Sequence, residues 1–169
     1  TAGGHFVIRL VRGEPQRERG DVGWDAVTGR LERNRLEKID AVVHLAGESI
    51  LGVWTEAKKK RIHRSRVQAT EFLMEALAGL MYKPRVILSA SAVGVYGDRG
   101  DEWLNEAASA GEGYLPLLCR EWERATDLAA NTGIRVINAR IGLVLSPHGG
   151  LLKSMSPIFR AGLGGKLGH

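Results

Sequence analysis

The 169-residue chain has a single cysteine, and this scarcity restricts the kinds of protein it can be. Cys119 has no second cysteine with which to form an internal disulfide, so a disulfide-stapled secreted domain is excluded. No apolar run approaches the length of a membrane-spanning helix, and the N-terminus shows no signal-peptide pattern. We therefore expect a chain in a reducing compartment, the cytoplasm, without a membrane partner.

An excess of positive charge is confined to the first part of the chain. Residues 1–66 hold 14 Lys and Arg against 9 Asp and Glu, whereas residues 67–169 hold 10 of each. The densest basic run, KKKRIHRSR at 58–66, is typical of a nucleic-acid-binding patch or of a solvated helix face. We favour the helix face, because no aromatic residue interleaves the run and Ile62 belongs to an apolar helical stripe. Nucleic acid is therefore not an expected partner.

Short apolar runs alternate with helical patterns along the chain. Strands are predicted at 5–11, 40–46, 85–91 and 134–145. One long helix is predicted from the N-cap Thr55 to about Met81, and a second from about Pro116 to Asn131. This alternation indicates an α/β fold with a parallel sheet covered on both faces. Such sheets bind ligands at the carboxyl ends of their strands, so one rim is expected to gather Arg12 and residues 44–49, 89–97 and 139–147.

Several short motifs carry a resemblance to a known family. DAVVHLAG (40–47), Ser91 with VYG (95–97) and Arg140 at a strand end resemble the extended short-chain dehydrogenase/reductases. Six further motifs resemble an atypical branch of this family, which is labelled nucleoside-diphosphate-sugar epimerase or SulA-like cell-division inhibitor. They are GWD (23–25), LAGESI (45–50), SRVQAT (65–70), YGDRGDE (96–102), CREWE (119–123) and GLGGKLG (162–168). The resemblance implies a Rossmann-like, doubly wound parallel sheet and an NAD(P)-dependent epimerase or reductase.

Two parts of the family pattern have no counterpart in this sequence. The first is the opening strand with its G-x-x-G-x-x-G turn, which holds the cofactor pyrophosphate, and the second is the C-terminal substrate portion. The glycines at 162–168 do not replace the turn, because they follow no predicted strand. We therefore interpret residues 1–169 as a single, partial NADP-binding Rossmann domain, in which 149–169 begin the substrate-side segment.

The expected cofactor is NADP(H), because Arg12 ends the predicted strand 5–11. In dinucleotide-binding folds an acid at this place binds the ribose hydroxyls of NAD, whereas an arginine accommodates the extra phosphate of NADP. The alternative is an ordinary surface arginine. By resemblance, further cofactor contacts are expected from Leu45, Ala46, Gly47, Arg61, Arg66, Arg140 and Ile141.

The residues expected to carry catalysis depart from the family pattern. Ser91 resembles the serine that binds a substrate carbonyl or alcohol beside the nicotinamide. The family's Tyr-x-x-x-Lys pair is absent, and matching Glu123 to the family pattern puts Leu115 where the tyrosine should be and Cys119 where the lysine should be. Tyr114 and Glu48 are the substitute candidates for the acid or base. No metal is expected.

Two functions from different classes follow. The first is an NADP(H)-dependent oxidoreductase or epimerase with a non-standard proton donor, acting on a carbonyl, an alcohol or a nucleotide-sugar-like small molecule. The second is a non-catalytic NADP(H)-binding or sensing module that regulates a partner. His44 and Cys119 are interpreted as core residues in both cases. The sequence leaves the oligomeric state open.

Overall fold

The computed structural model describes residues 3–165, which form six strands and four helices. The strands are β1 Leu10–Val11, β2 Val22–Asp25, β3 Arg30–Leu31, β4 Ala41–His44, β5 Val86–Ala92 and β6 Arg135–Ile141. The helices are α1 Glu56–Ala78, α2 Tyr114–Arg124, α3 Asp127–Asn131 and α4 Gly150–Arg160, with 3-10 turns at Arg17–Arg19, Arg33–Leu36 and Val93–Tyr96. The motif at 162–168 lies partly outside the described residues.

The strands form two three-stranded sheets. β4, β5 and β6 are parallel, with β5 in the centre and Val43, Leu88 and Ile137 side by side. β1 pairs with β2 in parallel, but β3 returns antiparallel to β2. The α/β fold with parallel strands is thus confirmed, although within residues 3–165 no strand ladder joins the two sheets.

The antiparallel hairpin between β2 and β3 was not predicted. Its turn is built by Asp25, whose carboxylate accepts hydrogen bonds from the backbone N–H groups of Val27 and Thr28 and from the Thr28 hydroxyl. Gly29 closes the turn at φ 73°, a conformation that side chains disfavour. Local side-chain hydrogen bonds therefore created a strand pair that apolar periodicity did not indicate.

Two predicted elements have different bounds in the structure. The strand expected at 5–11 is reduced to Leu10–Val11, because β2 offers a parallel partner only there. The helix expected at 116–131 is divided into α2 and α3, since the Thr126 hydroxyl donates to the Glu123 carbonyl at 2.6 Å and competes with the helical ladder. The Thr55 N-cap is confirmed: its hydroxyl accepts from the Lys58 N–H at 3.2 Å.

The core lies on one side of the sheet β4–β5–β6. Helix α1 buries Leu73, Met74 and Leu77 against Ile87 of β5 and Trp24 of β2. On the opposite face Val43 is 63% exposed and Ile137 is 39% exposed. One covered face is enough to fix the strand ends on which the candidate site depends.

Two features are absent from the part of the chain that the structure describes. None of the four described helices is both long enough and apolar enough to cross a bilayer. Among residues 3–165, no group of three or more His, Cys, Asp and Glu side chains is arranged to hold a metal ion.

Candidate functional site

The segment that follows β4 presents backbone at the rim of the sheet. Leu45, Ala46 and Gly47 are all exposed. A Cβ added at Gly47 would lie 3.2 Å from Cζ of Arg66, so a larger residue would displace that guanidinium. Glycine here allows the Arg66 guanidinium of helix α1 to lie against this backbone, while the backbone itself remains exposed to solvent.

Glu48 ties this rim segment to helix α1. Its carboxylate lies 2.9 Å from Nζ of Lys58 and 3.7 Å from Nε of Arg61, and the Lys58 ammonium holds the pKa of Glu48 below its ordinary value. Its backbone N–H donates to the Ser65 hydroxyl at 2.9 Å. Glu48 is therefore an ionised, fixed carboxylate, which suits it better to accept a proton than to donate one.

Arg66 is engaged with the protein itself. Its guanidinium donates to the Glu48 carbonyl at 2.9 Å and lies 5.1 Å from the ring of Trp122. Burial lowers its pKa from the ordinary arginine value. Arg61, by contrast, keeps 60% of its side chain exposed. Of the two arginines predicted to reach the cofactor, Arg61 has the freer guanidinium.

Arg12 stands directly after β1 and is exposed. Within residues 3–165 it forms no ion pair, whereas its neighbour Arg9 is bound to Asp21 at 2.9 Å. A guanidinium that is free of protein partners at a strand end is available to bind phosphate in a bidentate manner.

At the ends of β5 and β6 a partly buried hydrogen-bond network surrounds Glu123. The Ser91 hydroxyl donates to its carboxylate at 2.6 Å, and Arg140 donates to both carboxylate oxygens, at 2.8 and 2.9 Å. The Arg140 guanidinium, followed by the Ser91 hydroxyl, lowers the pKa of Glu123 against the opposing effect of burial. Ser91 is only 3% exposed, and its hydroxyl donates its hydrogen bond to Glu123. The lone pairs of the hydroxyl oxygen can still accept a hydrogen bond from another group.

Arg140 also organises the segment that follows β5. It donates to the Tyr96 hydroxyl at 2.9 Å and to the Glu106 carbonyl at 3.1 Å, while Tyr96 donates to the Asn105 carbonyl at 3.0 Å. Arg140, predicted to contact the cofactor, therefore makes its contacts within the protein. Ile141, the next residue, is 40% exposed at the rim.

Tyr114, the first residue of α2, is directed toward helix α1. Its hydroxyl donates to the Lys59 carbonyl at 3.0 Å, and burial raises its pKa. In the described part of the chain no hydrogen bond joins Tyr114 to Ser91. The structure therefore brings Ser91 together with Arg140, and Glu48 with Arg61 and Arg66, but it holds Tyr114 apart.

His44 is a core histidine, as the sequence predicts. It is 3% exposed, its Nε2 lies 3.0 Å from the Thr70 hydroxyl, and burial lowers its pKa to about 4. Trp122 also donates to the same hydroxyl, at 3.2 Å. Cys119 is likewise buried, and burial raises the pKa of its thiol.

Several cations of the basic run at 58–66 are paired with neighbouring acids. Lys58 pairs with Glu48, and Lys59 pairs with Glu56 at 2.8 Å. His63 lies 2.9 Å from Glu121. Ile62 is fully buried, as expected for a helix with an apolar stripe. The run thus lies on α1 with its apolar residue inward, as predicted.

The sequence pattern matched Glu123 to an acid of the family but predicted no structural or catalytic role for it. The signal was present: an acid lies next to the buried Trp122 in an amphipathic helix, and a buried carboxylate requires a cation. Which cation it meets depends on the crossover that brings α2 to β6, and this crossover is not visible in residue spacing.

The described residues fit part of a dinucleotide. Arg12 supplies a free guanidinium, and Gly47 supplies an open backbone that a Cβ would crowd. A bound nicotinamide would provide the hydride donor or acceptor. The residues of the chain itself would bind and orient it.

Comparisons with known proteins show the family. The family model for the NAD dependent epimerase/dehydratase family matches residues 5–163. An epimerase family protein of Mycobacterium bovis is 41% identical over 168 residues, which cover 99% of this chain and 55% of the relative. The chain thus spans about half the length of such curated relatives.

Two solved structures of epimerase family proteins are also similar to this chain. A nucleoside-diphosphate sugar epimerase from Corynebacterium glutamicum is 41% identical, with a TM-score of 0.81 over 98% of this chain and 34% of that chain. Human epimerase family protein SDR39U1 (isoform2), crystallised with NADPH, is 30% identical, with a TM-score of 0.78 over 97% of this chain and 54% of that chain. This chain belongs to the NAD dependent epimerase/dehydratase family.

Proposed function

We propose that the protein binds NADP(H) and is an oxidoreductase or epimerase that acts on a carbonyl or alcohol group of a small molecule. The observation that carries the proposal is the free guanidinium of Arg12 at the end of β1, where dinucleotide-binding folds bind the additional 2′-phosphate that distinguishes NADP from NAD. The NADPH in the crystal structure of the human relative supports the same cofactor.

In this proposal the residues at the strand ends have separate roles. The backbone of Leu45, Ala46 and Gly47 lies against the cofactor, and Arg61 reaches its polar groups. Ser91 orients the substrate oxygen, with its own proton held by Glu123 at 2.6 Å. Glu48 is the candidate base, because its ionised carboxylate stands at the rim.

The test measures NADPH and NADH binding to the full-length protein by calorimetry. Arg12→Ala should weaken NADPH about ten-fold or more and leave NADH nearly unchanged, since a hydrogen bond between charged groups is lost. Arg120→Ala, which removes an exposed guanidinium on α2, is the matched control and should alter neither affinity. Equal weakening of both cofactors by Arg12→Ala would contradict the assignment.

A non-catalytic NADP(H)-binding module is the second candidate. It is favoured by the engagement of each polar candidate with the protein: Ser91 donates to Glu123, Tyr114 to the Lys59 carbonyl, and Glu48 is paired with Lys58. Leu115 stands where a proton-donating tyrosine is expected. NADPH oxidation by the full-length protein across a panel of aldehydes, ketones and nucleotide sugars would exclude this candidate, whereas tight binding without any turnover would support it.

A further inference from the structure

Trp122 of helix α2 contacts two residues of helix α1 with different parts of its indole. The centroid of its ring lies 5.1 Å from Cζ of Arg66, and its indole N–H donates to the Thr70 hydroxyl at 3.2 Å. The side chain is buried, with 6% of its surface exposed. One buried residue therefore uses its π face for a cation and its N–H group for a hydroxyl.

The N–H contact anchors the indole to the parallel sheet. Thr70 is fully buried, and its hydroxyl lies 3.0 Å from Nε2 of His44, the last residue of β4. A buried indole N–H and a buried hydroxyl are costly to leave without partners, so these contacts are maintained in the folded protein. The contacts run from β4 through α1 to α2 and fix the orientation of the Trp122 ring.

The ring face supports a guanidinium that is held by a backbone carbonyl. The Glu48 carboxylate pairs with Lys58 at 2.9 Å, whereas Nη1 of Arg66 donates to the Glu48 carbonyl oxygen at 2.9 Å. Burial lowers the pKa of Arg66, because its charge is partly removed from water. A guanidinium is planar and weakly hydrated and stacks well on an aromatic face. The Trp122 ring thus offsets part of the cost of burying this charge.

The same guanidinium lies against the rim backbone that follows β4. A Cβ added at Gly47 would lie 3.2, 3.3 and 3.4 Å from Cζ, Nη1 and Nη2 of Arg66. The next residue, Glu48, receives the guanidinium hydrogen bond on its carbonyl and donates its own N–H to the Ser65 hydroxyl at 2.9 Å. A displacement of the guanidinium away from the Trp122 ring would therefore release one of the contacts that hold this backbone.

We infer that Trp122 is a positioning residue for cofactor binding, which fixes the Arg66 guanidinium and, through it, the backbone at Gly47 and Glu48. The inference rests on the proposed function, since it concerns how the same rim is held. It gives Arg66 a role other than the direct cofactor contact expected from the sequence. Because the 2′-phosphate is assigned to Arg12, the rim backbone meets the portion of the cofactor that NADPH and NADH share.

The support is tested first without cofactor, by amide hydrogen exchange in the full-length protein. Trp122→Met and Arg66→Met should each speed exchange of the Glu48 amide about ten-fold, whereas Trp122→Phe, which keeps an aromatic face, should speed it only about two-fold. Arg64→Met removes an exposed cation of α1 and is the matched control, with no change expected. Unchanged protection of the Glu48 amide in Trp122→Met would overturn the inference.

A second comparison keeps the test decisive if Trp122→Met does not fold. The effect of Trp122→Phe on the Glu48 amide should disappear when Arg66→Met is already present, because Trp122 acts through that guanidinium. The same increase in both backgrounds would contradict this route.

The consequence for the cofactor is measured by calorimetry with NADPH and NADH. Trp122→Met and Arg66→Met should each weaken both cofactors about ten-fold, and the double variant should bind no more weakly than either single variant. A loss confined to Arg66→Met, or additive losses in the double variant, would show that Trp122 does not act through Arg66. If the parent protein bound neither cofactor, the proposed function would be contradicted, while the exchange comparison would still decide whether Trp122 holds the rim.

Discussion

Glu48 and Glu123 are both carboxylates that meet cations near the carboxyl ends of parallel strands, but their surroundings differ. Glu123 is 18% exposed, and its carboxylate accepts hydrogen bonds from Nε and Nη2 of Arg140 and from the Ser91 hydroxyl. Glu48 is 31% exposed; its nearer cation, Lys58, is 12% exposed, and its more distant one, Arg61, is 60% exposed. The two close ion pairs are therefore similarly buried, and they differ in geometry, because Arg140 donates two hydrogen bonds to Glu123 whereas Glu48 has one close contact, with Lys58.

This difference predicts that the two carboxylates contribute differently to the stability of the protein. A buried pair loses its solvation in both partners, so removing one partner leaves a costly uncompensated charge. A carboxylate with one close contact to a single ammonium loses fewer charge-assisted hydrogen bonds when it is removed. We therefore expect the Glu123 network to contribute more to stability than the contact between Glu48 and Lys58.

The largest expected effect is on stability, from Glu123→Ala. This change leaves the Arg140 guanidinium without its carboxylate and should cost about 3 kcal/mol in the free energy of unfolding. Glu48→Ala, the matched control, should produce a smaller change, because it removes one side-chain hydrogen bond, from Lys58, rather than the three that Glu123 accepts. Urea denaturation of both variants measures the difference, and equal losses would remove the distinction between the two carboxylates.

His44 extends the comparison to a buried group with no counter-charge. Its pKa of about 4 in the folded protein lies below the ordinary value near 6.5, so the unfolded chain binds a proton that the folded protein excludes. Its contribution is fully present above about pH 6.5 and is lost toward pH 4, amounting to about 3 kcal/mol.

The measurement is urea denaturation between pH 7 and 4 for the parent protein and for His44→Gln. The pH dependence in this window should be flatter in the variant, because glutamine does not titrate. Carboxylates such as Glu123, whose pKa is lowered, lose their contribution only at lower pH. If the free energy of unfolding changed equally with pH in both proteins, His44 would not be the cause of the pH dependence between pH 7 and 4.

The smallest expected effect distinguishes two serines on the same face of β5. Ser91→Ala removes a hydrogen bond to the charged Glu123 and should cost about 1.5 kcal/mol in unfolding free energy. It should also raise the pKa of Glu123 toward its ordinary value, measurable by carboxyl carbon NMR. Ser89→Ala is the control, because the contact of its hydroxyl is 3.5 Å long. A Glu123 pKa unchanged by Ser91→Ala would mean that the short hydrogen bond does not persist in solution.

Elements with a strong local signal were predicted well from the sequence. The apolar stripe of α1, its Thr55 cap and the β-branched runs of β4 and β5 have local causes, so residue order alone indicated them. The hairpin of β2 and β3 and the division of the helix after Arg124 were missed. Both depend on side chains, Asp25 and Thr126, that compete with regular backbone hydrogen bonds.

The candidate site was predicted in part for a related reason. Arg12 directly follows β1, and Gly47 and Glu48 follow β4, as the sequence indicated. The structure places β1 and β4 in separate sheets. The sequence did not indicate that Tyr114 donates to the Lys59 carbonyl or that Arg140 binds Glu123, since both contacts cross between elements distant in sequence.

The sequence by itself determined the α/β class, the long basic helix with a buried stripe, the absence of Tyr-x-x-x-Lys and the resemblance to a nucleotide-binding family. Only the tertiary structure decided which charged side chains are bound within the protein and which stay free. The physical reason is that the energy of a charge depends on its partners and its exposure. Both are set by the packing of α1 and α2 against the ends of β4, β5 and β6.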